Sequence, residues 1–166
     1  MTLTDPWMSG SEIRVMVGIG DYAIGNNPMS TIGLGSCVAL VLHDESRASG
    51  GMAHIMLPCS QGRTDRPAKF ADTAVEMLER ELRLPGTRKR SLIAKLVGGA
   101  CMFKTFNGNL NIGERNIEAV REQVRKRGIR NGGEEVGGSG GRSLTYYPAE
   151  GGRVLIRRAD GTTSTL

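Results

Sequence analysis

Thr31-Ile32-Gly33-Leu34-Gly35-Ser36-Cys37-Val38-Ala39-Leu40-Val41-Leu42, followed downstream by Gly51-Met52-Ala53-His54-Ile55-Met56-Leu57-Pro58, is the stretch on which the fold turns. Its two compact apolar runs, Val38 to Leu42 and Met52 to Leu57, read as neighbouring buried strands. The segment between them, His43 to Gly51, is polar and flexible and reads as a surface loop. Cys37 then stands at the mouth of the first strand, just after a glycine-bearing turn, and His54 lies inside the second.

Upstream, Ile13 to Gly18 alternates like a strand, Gly20 to Gly25 reads as a turn leading into a short one, and Gly25-Asn26-Asn27-Pro28 breaks the chain. Downstream, Ala71, Val75, Leu78 and Leu82 recur at helical spacing between the starters Asp65 and Pro67 and the stop Pro85-Gly86, which predicts an amphipathic helix. Leu92 to Val97 reads as a buried strand ending at Gly98-Gly99. Asn111 and Glu114 have the spacing of a capping box, opening a second helix with Ile117, Val120 and Val124 on one face and Arg125-Lys126-Arg127 in its last turn. Ile129 to Val136, Ser143 to Tyr147 and Arg153 to Arg157 read as closing strands around a Gly137 to Gly141 turn, and Thr162 to Thr165 as a frayed tail. Two helices must cover sheet faces, so the expected class is an α/β (α+β) sandwich of mixed or antiparallel sheets with two main covering helices. One domain is expected over 1–166, with a core from about 13 to 158 and flexible ends.

Composition narrows the function. With 39% hydrophobic residues, the chain can build an ordinary core. The longest apolar run is only Cys37 to Leu42, and Asp5, Pro6 and Glu12 do not form a secretory signal, so a cytoplasmic protein without membrane insertion is expected. Three cysteines, Cys37, Cys59 and Cys101, with no CxxC pair argue against a disulfide framework. The net charge of +5 gathers at Arg88-Lys89-Arg90, Arg125-Lys126-Arg127 and Arg130. No aromatic-rich strand interleaves these clusters, so an acidic protein partner is favoured over nucleic acid.

A cysteine attacks an acyl carbon as the thiolate, and an imidazole that takes its proton supplies the base. The chain has two histidines. His43 begins the charged loop and is expected to face water, whereas His54 lies among Met52, Ile55 and Met56, where an unpaired ring would be costly to bury. The bland readings are a small buried hydrophobe for Cys37 and a core histidine bonded to a carbonyl for His54. Gly33 and Gly35 weigh against them, because they allow sharp turns whose N–H groups can bind an oxyanion. Gly35 and Ser36 are therefore expected to support the turn. Cys59 and Cys101 read as packing residues. Zinc on Cys37, His54 and Cys59 would have to borrow Cys101 or His43 at gaps that match no common site, and no glycine run completes a nucleotide motif. No metal or cofactor is expected.

In order, Gly18-Ile19-Gly20-Asp21-Tyr22-Ala23, Thr31 to Cys37, Gly50 to Pro58, Lys95-Leu96-Val97-Gly98-Gly99-Ala100, Ile112-Gly113-Glu114-Arg115-Asn116 and Glu135-Val136-Gly137-Gly138 resemble the chemoreceptor glutamine deamidase family, CheD. The resemblance runs from Ile13 to Ile156. It departs at His43, where an aromatic is expected, and in the unusually glycine-rich Gly137 to Gly141. It implies a catalytic set of Cys37, His54 and Thr31, with His54 holding Cys37 as the thiolate and Thr31 orienting the ring. It also implies a fold related to the catalytic domains of certain deamidating bacterial toxins. The implied activity is deamidation of glutamines on the cytoplasmic helices of methyl-accepting chemotaxis receptors, with receptor methylesterase activity as a companion and a chemotaxis phosphatase as regulator. The competing expectation is a catalytically idle adaptor that docks on receptors or on that phosphatase.

Overall fold

The computed structural model describes residues 13–102 and 111–166. The flexibility expected of the N-terminal end falls on residues outside that set. Among the described residues, ten strands form two five-stranded sheets. The first contains β1 (Val15–Met16), β3 (Met29–Leu34), β8 (Arg142–Tyr147), β9 (Arg153–Arg158) and β10 (Thr163–Thr165), in that spatial order. The second runs β2 (Tyr22–Gly25), β5 (Ser49–Ile55), β4 (Val38–Asp44), β6 (Leu92–Gly98) and β7 (Arg130–Val136). β1 with β3 and β6 with β7 pair in parallel, and the other pairs are antiparallel. Helices α1 (Ala71–Arg83) and α2 (Ile112–Lys126) complete a layered α+β sandwich.

Side-chain alternation on β4 explains the layering. Val38, Leu40 and Leu42 join Ala53 and Ile55 of β5 under Ala74, Leu78, Val120 and Val124 of the helices. Ala39, Val41 and Met52 point the other way, into a second core with Met29, Leu34, Leu144, Tyr146 and Ile156 of the facing sheet. Every residue of β4 is buried, as a strand with packed layers on both faces must be, and this is why Val38 to Leu42 is a continuous apolar run rather than an alternating one. α2 starts where the capping box places it, with Asn111 Oδ1 accepting from the Glu114 N–H at 3.0 Å.

Three expectations change. The polar segment after Leu42 is mostly strand, since His43 pairs with Gly50 and Asp44 with Ser49, leaving only residues 45–48 as the turn. His43 is therefore not a solvent-facing loop residue. It is buried between the sheets with its Nδ1 2.6 Å from Tyr146 Oη. The tail does not fray, because Thr163–Thr165 pairs with β9 and Leu166 exchanges two backbone bonds with Val154. Finally, Gly33, expected in a sharp turn before Cys37, lies inside a strand, Met29–Leu34, that carries a register shift between Thr31 and Leu34. Gly33, at φ 71°, supplies the left-handed residue of that bulge.

The His43–Tyr146 contact ties β4 to β8 across the inter-sheet core. Tyr146→Phe should leave a buried imidazole nitrogen unpaired and cost about 1–3 kcal/mol in urea unfolding, with little effect at the Cys37 end of β4.

Candidate active site

The register sets the site. Ala39 pairs with His54 and Val38 with Ile55, so Cys37, one step before Val38, is the diagonal neighbour of His54 across the pair. Cys37 is half-buried and packs against the same inter-sheet core as Ala39 and Met52. Diagonal neighbours have Cα atoms about 7–8 Å apart, within side-chain reach. Thr31 arrives from the facing sheet, on β3 just before the bulge. The structure thus brings Thr31, Cys37 and His54 to one end of the inter-sheet layer.

A chain of hydrogen bonds fixes the state of His54. Thr31 Oγ1 donates to the Val17 carbonyl at 2.7 Å, which uses its only proton. Its second contact, 2.7 Å from His54 Nδ1, must then run from the ring N–H to the hydroxyl oxygen. The neutral ring carries its proton on Nδ1 and leaves Nε2 as a bare acceptor. Nε2 is buried and has no partner among the described residues. The main chain holds the ring in place through His54 N–H to Asp21 O (3.0 Å) and Gly20 N–H to His54 O (2.9 Å).

Burial pushes the Cys37 thiol above its ordinary value and pushes the His54 imidazole below its own, the latter opposed by the Asp21 carboxylate. Both shifts favour the neutral thiol and neutral imidazole. Both therefore weigh against a standing thiolate–imidazolium pair, while the hydrogen bond from Nδ1 leaves Nε2 as the open nitrogen.

The turn before Cys37 is held carbonyl by carbonyl. Gly35 O accepts from Ala100 N–H and Cys37 O from Gly99 N–H, each at 2.8 Å. Ser36 O accepts from Asn116 Nδ2 of α2 at 2.9 Å. Gly98 has φ 112°, and a Cβ there would lie 2.3 Å from Cys37 O, so no other residue allows this close approach. Gly35 donates its own N–H to Gly33 O at 3.1 Å. The N–H groups of Ser36 and Cys37 have no backbone acceptor among the described residues. Gly35 therefore shapes the turn, and oxyanion donors are to be sought at Ser36 and Cys37.

Asn116 is the site-adjacent residue that sequence reasoning missed. It is fully buried and also donates Nδ2 to Met56 O at 3.0 Å. A polar residue on the core side of an amphipathic helix was the available signal. Cys59, expected to pack, is instead exposed, at an open cleft of about 210 Å³ whose walls include Leu57, Pro58, Phe70, Arg63 and Arg115. Cys101 is half-buried, with its N–H on Gly138 O. Among the described residues no cluster of three or more His, Cys, Asp or Glu is placed to hold a metal, and no helix is long and apolar enough to cross a membrane.

Much of the positive charge is internally paired. Arg127 meets Glu79 at 2.9 Å and Glu76 at 3.3 Å, Lys126 meets Glu122 at 2.9 Å, and Arg130 meets Glu45. The Arg127 pairs tie the end of α2 to α1, the Lys126 pair lies within α2, and Arg130, at the start of β7, ties that strand to the β4–β5 turn.

Residues 56–158 match the family described as CheD chemotactic sensory transduction. Among curated proteins, the chain is 44% identical over 151 residues to "Chemoreceptor glutamine deamidase CheD" of Thermotoga maritima, covering 90% of this chain and 94% of that one. It is 43% identical over 154 residues to the "Probable chemoreceptor glutamine deamidase CheD" of Archaeoglobus fulgidus, covering 92% and 96%. With these relatives aligned over nearly their whole length, the chain belongs to the CheD family.

Proposed function

We propose that this protein is a cytoplasmic hydrolase that converts selected glutamine side chains of chemotaxis receptors to glutamate, using Cys37 as nucleophile. The observation that carries the reading is a buried Nε2, without a partner among the described residues, on a histidine whose other nitrogen is spent on Thr31, one diagonal step from a cysteine. The names of the relatives supply the substrate class.

As Cys37 Sγ attacks the glutamine carbonyl carbon, its proton passes to His54 Nε2, so charge separates only when the substrate is in place. The oxyanion is held by the N–H groups of Cys37 and Ser36. The tetrahedral adduct collapses by breaking its C–N bond while Nε2 returns the proton to the departing ammonia. Water then attacks the thioester, gives a proton to Nε2, and the sulfur leaves and recovers it, producing glutamate. A glutamyl methyl ester would enter the same thioester with methanol as leaving group, which makes methylesterase activity part of the proposal. A chemotaxis phosphatase remains the proposed regulator on family resemblance.

The test is incubation of the purified protein with a glutamine-bearing receptor fragment, following ammonia release and amide-to-acid conversion by mass spectrometry. Conversion at defined glutamines supports the reading. Stoichiometric binding with no conversion would instead select the idle adaptor, a reading the neutral resting pair also accommodates.

Thr31→Val removes the acceptor for the His54 Nδ1–H and should lower kcat about 10- to 100-fold, less than a charged partner would because Thr31 is neutral. Thr31→Ser keeps the hydroxyl and should restore most of the rate, which steady-state kinetics on the same fragment will read.

A further inference from the structure

We infer that Asn116 is a positioning residue that sets the plane of the Ser36–Cys37 peptide and, through it, the oxyanion-binding N–H of the nucleophile. The inference rests on Cys37 being that nucleophile.

Asn116 lies in the second turn of α2 and is fully buried, yet it touches neither thiol nor imidazole by hydrogen bond. Its Nδ2 instead spans two main-chain carbonyls, Ser36 O at 2.9 Å and Met56 O at 3.0 Å. These belong to the residue before Cys37 and to the residue two beyond His54. In a trans peptide, the C=O of Ser36 and the N–H of Cys37 point in opposite directions. Capturing the carbonyl from α2 therefore aims the Cys37 N–H away from the helix. The flanking carbonyls of Gly35 and Cys37 are bonded to Ala100 and Gly99, and α2 is locked on that same loop, because a Cβ on Gly113 would lie 2.4 Å from Ala100 O. Without Asn116, the Ser36 plane would be the one peptide of the three with no clamp. The bond to a side-chain amide also polarises the peptide, making the Cys37 N–H a stronger donor.

The geometry is held at a cost. Asn116 Oδ1 is buried with no partner among the described residues, and flipping the amide would set an oxygen against two carbonyl oxygens. An apolar side chain on this helix face would leave no orphaned acceptor of its own. The amide fits the site because of what its two N–H groups hold.

Asn116→Ala and Asn116→Asp test this. Both are measured for thermal unfolding, for kcat and KM on the receptor fragment, and for the rate of Cys37 alkylation by iodoacetamide. In folded Asn116→Ala, kcat should drop about 10- to 100-fold with KM changed less than about threefold, because oriented donors act on the transition state. In Asn116→Asp, the buried carboxyl faces two carbonyls and gains a donor only when protonated, so its kcat relative to wild type should climb as pH falls, while the Ala ratio stays flat. A folded Ala variant with wild-type kcat, or an Asp ratio that is flat with pH, overturns the inference, and failure of both variants to fold assigns Asn116 to the fold alone. If the wild-type protein deamidates nothing but Cys37 alkylation still changes in the folded variants, the positioning role stands and the deamidase reading falls.

Discussion

Cys37→Ala is expected to give a folded protein that releases no measurable ammonia from a receptor fragment, a loss of about 10⁴-fold or more by comparison with other covalent hydrolases stripped of their nucleophile. The loss is large because the sulfur is the atom that forms and breaks the acyl bond, so no neighbouring group can take over. Folding should survive. Cys37 is only half-buried at the entrance of β4, and the turn around it is held by main-chain atoms of Gly35, Ser36 and Cys37 that alanine keeps. The stability change should stay near ~1 kcal/mol. Cys59→Ala and Cys101→Ala are the controls and should retain activity. Loss of activity in either one with survival in Cys37→Ala would remove the mechanism proposed above.

The sequence was informative where one physical constraint dominated. The run from Cys37 to Leu42 announces a strand packed on both faces, and β4 is fully buried. The recurrence of Ala71, Val75, Leu78 and Leu82 announces α1, and the Asn111–Glu114 spacing announces the first turn of α2. It was uninformative where long-range partners decide. His43 sits in a polar run that looks exposed, yet pairing of Asp44 with Ser49 extends the strand and Tyr146, far along the chain, receives the ring. Gly33 and Gly35 read as turn residues, and Gly35 does shape the turn before Cys37, whereas Gly33 forms a bulge inside a strand. Thr163–Thr165 has no apolar pattern at all and is ordered by the edge of β9. At the site, residue types pointed to Cys37 and His54, and only the family resemblance pointed to Thr31. The protonation pattern was not readable, because it depends on the single hydroxyl proton of Thr31 going to Val17 O. Nor was the role of Asn116, whose two acceptors are separated from it by 80 and 60 positions.

His54→Gln carries the second large effect, about 10²- to 10⁴-fold in kcat/KM, the range associated with removing a positioned general base. Its pH dependence identifies the mechanism. In the wild-type protein the base must be neutral, and burial holds the imidazole below its ordinary 6.5, so activity should rise through an acid limb lying below that value and be full at neutral pH. Without the imidazole the reaction needs the thiolate itself, whose pKa burial raises above its ordinary 9.0. Residual activity of the variant should therefore increase steeply only in alkaline solution. A preformed thiolate–imidazolium pair would instead keep Cys37 alkylation fast well below pH 6.5, and that profile would overturn the neutral-pair account. The same shift has a signature in stability. Below 6.5 the unfolded chain binds a proton at His54 that the folded protein resists, so the unfolded state binds more protons and stability falls with decreasing pH; above 6.5 the contribution is constant. His43 is lowered in the same direction, first by burial and then by Lys95, and adds to the slope. Urea midpoints should consequently drop for the wild-type protein as pH goes from 6.5 toward about 5, and the drop should be shallower, though not abolished, in His54→Gln because His43 still titrates.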